Sequence, residues 1–280
     1  MDTTGQVFRI TDFGAVADGK TLNTKAIQAA LDAAAVRGGE VIIPAGSFLT
    51  GTVFLRSHTT LNLLHGAQIL GSPRLTDYIP VRWGHHMDRT PWHLIMADNV
   101  EDITIKGQGE INGNGPHFWE PTRPSDWHFW TCKWDRPSPM VEITNCRDVR
   151  IENITLRNPA GWTLHLHDTT RAWIRGVRID VDLFGPNSDG IDLTGARDVM
   201  ISDCHTGAPS PLSTGRGPAV VPEARGQKES LILQTVSGDP RRKGSNRSSE
   251  RAGFPFTRPA NRVANLPCAG HVEHVAFAIP

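Results

Sequence analysis

Apolar and polar positions repeat along this chain at long range. Three eight-residue segments, VRIENITL from Val149, AWIRGVRI from Ala172 and VMISDCHT from Val199, superpose on one template. Apolar residues occupy its first, third, sixth and eighth places: Val149, Ile151, Ile154 and Leu156, then Ala172, Ile174, Val177 and Ile179. The third copy supplies Val199, Ile201 and Cys204, and then Thr206 where an aliphatic residue belongs. Each copy follows a polar turn (NCRD, TTR or GARD), and successive copies are offset by 23 and 27 residues. Upstream, LNLLHGAQI from Leu61 and ITIKGQGEI from Ile103 form a similar pair. Strands this short, bounded by Asn, Asp and Gly, cannot bury a face alone. Stacked coil upon coil they enclose a continuous apolar interior, and a period of about 20 to 50 residues is the mark of a parallel β-helix or another solenoid. A β-sandwich fits less well, because its hairpins call for two-residue turns that are scarce here. The pattern predicts Ile151, Ile174 and Ile201 in one inward column and Ile154, Val177 and Cys204 in a second.

One helix is predicted ahead of the repeats. Asn23 or Thr24 can cap it, Ala26, Ile27, Ala30, Leu31 and Ala34 form its apolar stripe, and Gly38-Gly39 ends it. A solenoid exposes apolar residues and unpaired strand edges at its first coil. This helix, just before GEVIIPAGSFLTG, is placed to cover them.

Composition narrows the function. The 280 residues carry 29 basic and 29 acidic side chains, so net charge gives no reason to expect nucleic acid or an anionic membrane as partner. No apolar run approaches the roughly 18 residues of a membrane span. MDTTGQVFRI has neither a basic nor an apolar leader region, so the expected location is the cytoplasm. Cys132, Cys146, Cys204 and Cys268 lie far apart with no CxxC pair, which argues for free thiols rather than zinc or a disulfide framework. No phosphate-cradling glycine loop and no nucleophile triad pattern appears, and no cofactor is expected.

Two stretches resemble a known family. FGAVADGKTLNTKAIQAALDAAAVRGGEVIIPAGSFLTG resembles the N-terminal cap and first coils of pectin-lyase-like β-helix proteins. NPAGWTLHLHDTTRAWIRGVRI followed by NSDGIDLTGARDVMISDC resembles the core of family-28 glycoside hydrolases, the polygalacturonases, whose turn reads Asn-Thr-Asp-Gly. The resemblance spans residues 7 to about 205. It implies an all-β fold, a right-handed parallel β-helix with an N-terminal capping helix, here an incomplete solenoid. It also implies inverting hydrolysis of α-1,4-galacturonosyl bonds, with a pectin-type oligo- or polysaccharide as partner. Inversion needs one carboxylic acid to protonate the leaving oxygen and a carboxylate about 6.5–9.5 Å away to activate water. Asp189 matches the motif aspartate, one of the water-activating carboxylates, and Asn187 matches the Asn that opens the motif. Asp192 is given a structural role, since Asp commonly braces turn backbone.

The next motif of the family, Gly-Asp-Asp, supplies the general acid and a second water-activating aspartate. Unbroken spacing puts those aspartates near positions 210 and 211, where this chain has Ser210 and Pro211. The Gly-His-Gly and Arg-Ile-Lys motifs are absent too; Gly270-His271 is followed by Val272. Residues 206–280 hold no further repeat and are crowded with Pro, Gly, Ser and Arg, which resists core formation. The expected organisation is therefore a β-helix over 1–205 and a largely disordered tail over 206–280, as a reading-frame change past Cys204 would produce.

Other residues carry less specific chemistry. His165 and His167 alternate on a predicted strand and so share a face; they are candidate contacts for a uronate, while metal binding lacks a third ligand. Trp119, Trp127, Trp130 and Trp134 lie in HFWEPTRPSDWHFWTCKW, where rings either stack on sugars or pack as a cluster of their own. His85-His86 carries no spacing argument. The expected function is a polygalacturonase-type glycosidase that hydrolyses poorly for want of its acid. The alternative is a non-catalytic carbohydrate-binding or structural β-helix.

Overall fold

A computed structural model describes residues 6–81, 89–120, 131–182, 185–207 and 275–276 of the chain. The repeat segments prove to be bent. Between the third and sixth template places stand Asn153, Gly176 and Asp203, all left-handed, at φ 58°, 63° and 55°. Asn, Asp and Gly adopt that conformation at little cost, and it turns the chain through a corner. Each eight-residue segment is thus two strands in two sheets, not one strand. The phase break in the apolar pattern marks the corner.

Three sheets result. Numbered in chain order, the first holds β1 (Gln6–Arg9), β3 (Gly39–Ile43), β6 (Thr59–Leu63), β9 (Glu101–Gly107), β12 (Arg147–Glu152), β15 (Thr170–Arg175) and β18 (Arg197–Ser202). The second holds β2 (Asp18–Leu22), β4 (Gly46–Thr50), β7 (Ala67–Gly71), β10 (Glu110–Asn112), β13 (Thr155–Arg157), β16 (Arg178–Asp180) and β19 (His205–Gly207). The third holds β5 (Val53–Phe54), β8 (Ile95–Asp98), β11 (Val141–Thr144), β14 (Leu164–His167) and β17 (Ile191–Thr194), with β20 (Val275–Ala276) on the last strand's edge. Pairing is parallel throughout, except that β20 runs antiparallel to β17. The molecule is a right-handed parallel β-helix.

Its core is a set of columns. Val41, Leu61, Ile105, Ile151, Ile174 and Ile201 stack one above another through successive strands of the first sheet, all buried. Ile154 and Val177 form the expected second column at the corner, with Cys204 half-buried above them. In the second sheet Phe48, Ile69, Ile111, Leu156 and Ile179 stack in turn, and Thr206 lies exposed on Ile179. The apolar interior therefore ends at the coil where the sequence replaces an aliphatic residue by Thr.

The polar turns are corners as well. Asn145 and Asp148, Asp168 and Arg171, Gly195 and Asp198 are paired left-handed positions at matching places in three coils. Arg171 is the one member of these pairs that is not Asn, Asp or Gly, and its guanidinium makes two hydrogen bonds to Asp148, at 2.8 and 2.6 Å.

Helix α1 (Thr24–Ala35) buries Ile27, Ala30, Leu31 and Ala34 against the first coil, as the stripe predicts. Its cap differs from expectation. Asn23 holds the N-cap position but makes no side-chain cap bond; it accepts from Val16 N–H at 2.7 Å and donates to the carbonyls of Val16 and Thr21. That side chain ties the entering chain to the helix start instead. The tail assigned to 206–280 lies outside the described residues except for Thr206, Gly207 and β20.

Candidate active site

From the coil of β6 and β7 onward, two of the three corners are short. The third, from the second sheet to the third, is the longest: residues 72–94, 113–140, 158–163 and 181–190. Arg89 and Trp162, from two of these connections, meet Glu142 and His165 on the third sheet, and β11 is buried on both faces although its sequence, VEIT, alternates. Its inward residues, Val141 and Ile143, stack on Leu164 and Leu166. The outward positions form two polar columns. Met96, Glu142, His165 and Asp192 are in register in one, and Asp98, Thr144, His167 and Thr194 in the other.

Asp189 precedes β17 and is half-buried, its carbonyl accepting Thr163 N–H at 2.9 Å. The main chain of the preceding coil thus fixes the height of the motif turn. Asn187 is exposed at the left-handed position of that turn, φ 50°. His165 and His167 share the outer face as predicted, but their surroundings differ. His165 is buried: Nδ1 lies 2.8 Å from Glu142 Oε2, Nε2 lies 3.0 Å from Thr194 Oγ1, and the ring meets Trp162 edge-on at 5.4 Å. Both its nitrogens are engaged by protein, so it forms part of a buried polar floor with Glu142 and Asp192 rather than a free sugar contact. His167 keeps 29% of its side chain exposed, with Nδ1 3.0 Å from Thr144 Oγ1. Burial, followed by the charge of Arg89, lowers its pKa and favours the neutral ring.

Glu142 escapes the sequence reading, as does Arg89, whose Nη2 lies 2.6 Å from Glu142 Oε1. Burial alone would raise the Glu142 carboxyl. The hydrogen bond and charge of His165, with His93 and Arg89, outweigh that and hold it below its ordinary value. His93 is buried beside it, and desolvation pushes its ring down to about 4, leaving it neutral with Nδ1 2.8 Å from the Pro139 carbonyl.

The turn-bracing role expected of Asp192 does not hold. It lies inside β17, faces outward into the buried floor, and neither carboxylate oxygen has a hydrogen-bond partner. Burial, then the charges of Asp189 and Glu142, pushes its carboxyl up to about 8, so it is protonated at neutral pH.

Trp119 is buried in its own loop, whereas Trp134 stands exposed. Trp127, Trp130, His85, His86, Ser210, Pro211, Cys268 and His271 lie outside the described residues. Cys132, Cys146 and Cys204 are free thiols. Among the described residues no group of three or more His, Cys, Asp or Glu side chains is placed to hold a metal ion, and no helix is long and apolar enough to cross a membrane.

Comparison with known proteins gives consistent matches. The family model for glycosyl hydrolases family 28 matches residues 40–208. A probable polygalacturonase of Vitis vinifera is 33% identical over 208 residues, covering 70% of this chain and 41% of the relative. An exo-poly-alpha-D-galacturonosidase of Dickeya chrysanthemi is 27% identical over 239 residues, 70% of this chain and 39% of the relative. Among solved structures, a family 28 exopolygalacturonase of Yersinia enterocolitica superposes with TM-score 0.60 at 27% identity, covering 71% of this chain and 42% of that one. An exopolygalacturonase of Thermotoga maritima gives 0.62 at 25% identity, with 72% and 52% covered. The chain spans about two fifths of the length of the curated relatives it matches.

Proposed function

Since the chain belongs to glycosyl hydrolases family 28, we propose that its third sheet binds a pectin-type polyuronide and retains the water-activating half of an inverting site, without the acid that cleavage needs. The observation that carries this reading is the setting of Asp189. It stands half-buried at the head of β17, its carbonyl held by Thr163 N–H, and its charge acts on Asp192, which is in register with His165 and Glu142. There it polarises a water, while Asn187 and His167 offer hydrogen bonds to the sugar.

Asp192 does not replace the missing acid. A general acid must come within hydrogen-bond reach of the leaving oxygen, and the Asp192 carboxyl is fully buried. It also sits three residues from Asp189 on the same coil, whereas the family's acid comes from the next coil, where this sequence has Ser210 and Pro211. General acid catalysis is worth about 10²–10⁴ in rate, so its loss leaves binding as the main activity of the 280-residue chain. Isothermal calorimetry with trigalacturonate tests the binding claim. Saturable binding, weakened by Asn187→Ala together with His167→Ala, is expected; absence of binding to the intact chain overturns it.

A further inference from the structure

The polar floor contains one group whose contacts point to a task beyond filling space. Glu142 is the one charged residue of β11, fully buried, and each of its carboxylate oxygens makes a directed contact. Arg89 approaches Oε1 at 2.6 Å and His165 Nδ1 approaches Oε2 at 2.8 Å. Replacing such a buried ionic array by apolar residues is often neutral or stabilising, so stability alone gives little reason to place it here. Its position gives another. It lies one coil below His165, which in turn lies one coil below Asp192.

We propose that Glu142 is the positioning residue of this site: held by Arg89, it fixes the tautomer and ring plane of His165, and through that ring sets the geometry of the Asp189 turn. The inference rests on the polyuronide-binding reading above. A carboxylate only accepts hydrogen bonds, so a neutral His165 must carry its proton on Nδ1. Nε2 is then the bare nitrogen and accepts the Thr194 hydroxyl, 3.0 Å away on β17. The tautomer set by β11 thereby orients a side chain on the strand that Asp189 opens. The same ring meets Trp162 edge-on at 5.4 Å, and Trp162 is followed by Thr163, whose N–H holds the Asp189 carbonyl at 2.9 Å. Two routes therefore run from Glu142 to the motif turn, one through Thr194 and one through the chain at 162–163. This is the arrangement by which a carboxylate behind a histidine orients chemistry in front of it.

The test has a spectroscopic arm and a binding arm, both on the full chain. In long-range ¹⁵N–¹H spectra of the unsubstituted protein, neutral His165 should show a protonated Nδ1 and a bare Nε2. A Glu142→Gln variant keeps a carbonyl oxygen as acceptor, so it should retain that tautomer and bind trigalacturonate within about threefold of the unsubstituted chain. Glu142→Leu removes the acceptor; the tautomer should become mixed and affinity should fall by tenfold or more. Should Glu142→Leu fail to fold, the spectrum of the unsubstituted chain decides alone: a protonated Nε2 with a bare Nδ1 overturns the proposal. Equal affinity in folded Glu142→Leu also overturns it. If the unsubstituted chain binds no trigalacturonate, the functional reading fails, and the tautomer still decides whether Glu142 positions His165.

Discussion

At Asp192 the fold holds a carboxyl whose oxygens find no hydrogen-bond partner and whose neighbours Asp189 and Glu142 are acids too. An ionised carboxylate there would be desolvated and repelled, so the proton stays on. In the unfolded chain the group ionises near pH ~3.9, in the folded chain only near about 8. Between those values unfolding releases a proton, so stability falls as pH rises and the loss is complete above the folded value. Asp192→Asn removes that penalty. Calorimetric melting of the variant at pH 8 should show a gain of about 1–3 kcal/mol, shrinking to nothing near pH 4. A variant that melts below the unsubstituted protein at pH 8 would mean that Asp192 is ionised and paired. Glu142 has the opposite balance: its depressed pKa contributes stability above the ordinary carboxylate range, lost on acidification.

Among elements, the coils were the most legible in sequence. The offsets of 23 and 27 residues that align Val149, Ala172 and Val199 are the register of β12, β15 and β18. The same offsets separate Glu142 from His165 and His165 from Asp192, so one period encodes the core and the site floor. The floor goes unread for a physical reason. VEIT, LHLH and IDLT alternate like strands with one solvated face, yet Glu142, His165 and Asp192 on that face are buried, with Arg89 against Glu142 and Trp162 against His165. No local pattern says where a long loop docks. For this reason His165 reads as a surface ligand and proves to be a buried support, and Asp192 reads as a turn brace and proves to be an unpaired acid. The left-handed corners were half legible: NCRD and GARD announce turns, yet the sequence does not show that Asn153 bends a strand pair.

The columns also fix what a substitution costs. Ile174 sits between Ile151 and Ile201, fully enclosed, so Ile174→Ala should cost about 2–5 kcal/mol in denaturant unfolding. Thr206→Val, on the exposed end of the second-sheet column, should change stability by less than about 0.5 kcal/mol. Similar losses at the two positions would contradict the inward register.

For the whole molecule, fold and chemistry are separable. The β-helix needs only that each coil present apolar residues inward, and the described coils do so up to β18. Inverting hydrolysis needs more, because two carboxyl groups from different coils must face one bond. Asp189, the partner we propose, lies on a coil that stacks in register with its predecessor. On the family resemblance, unbroken spacing would bring the other near positions 210 and 211, where the sequence has Ser210 and Pro211. In the function we propose, binding and cleavage have come apart in this chain. The most direct measurement is a reducing-end assay with the purified 280-residue protein on polygalacturonate, run beside Asp189→Asn. The account predicts that the two release sugar ends at the same background rate. Turnover typical of a glycosidase, abolished by Asp189→Asn, would contradict it and show that another carboxyl in this chain serves as the acid.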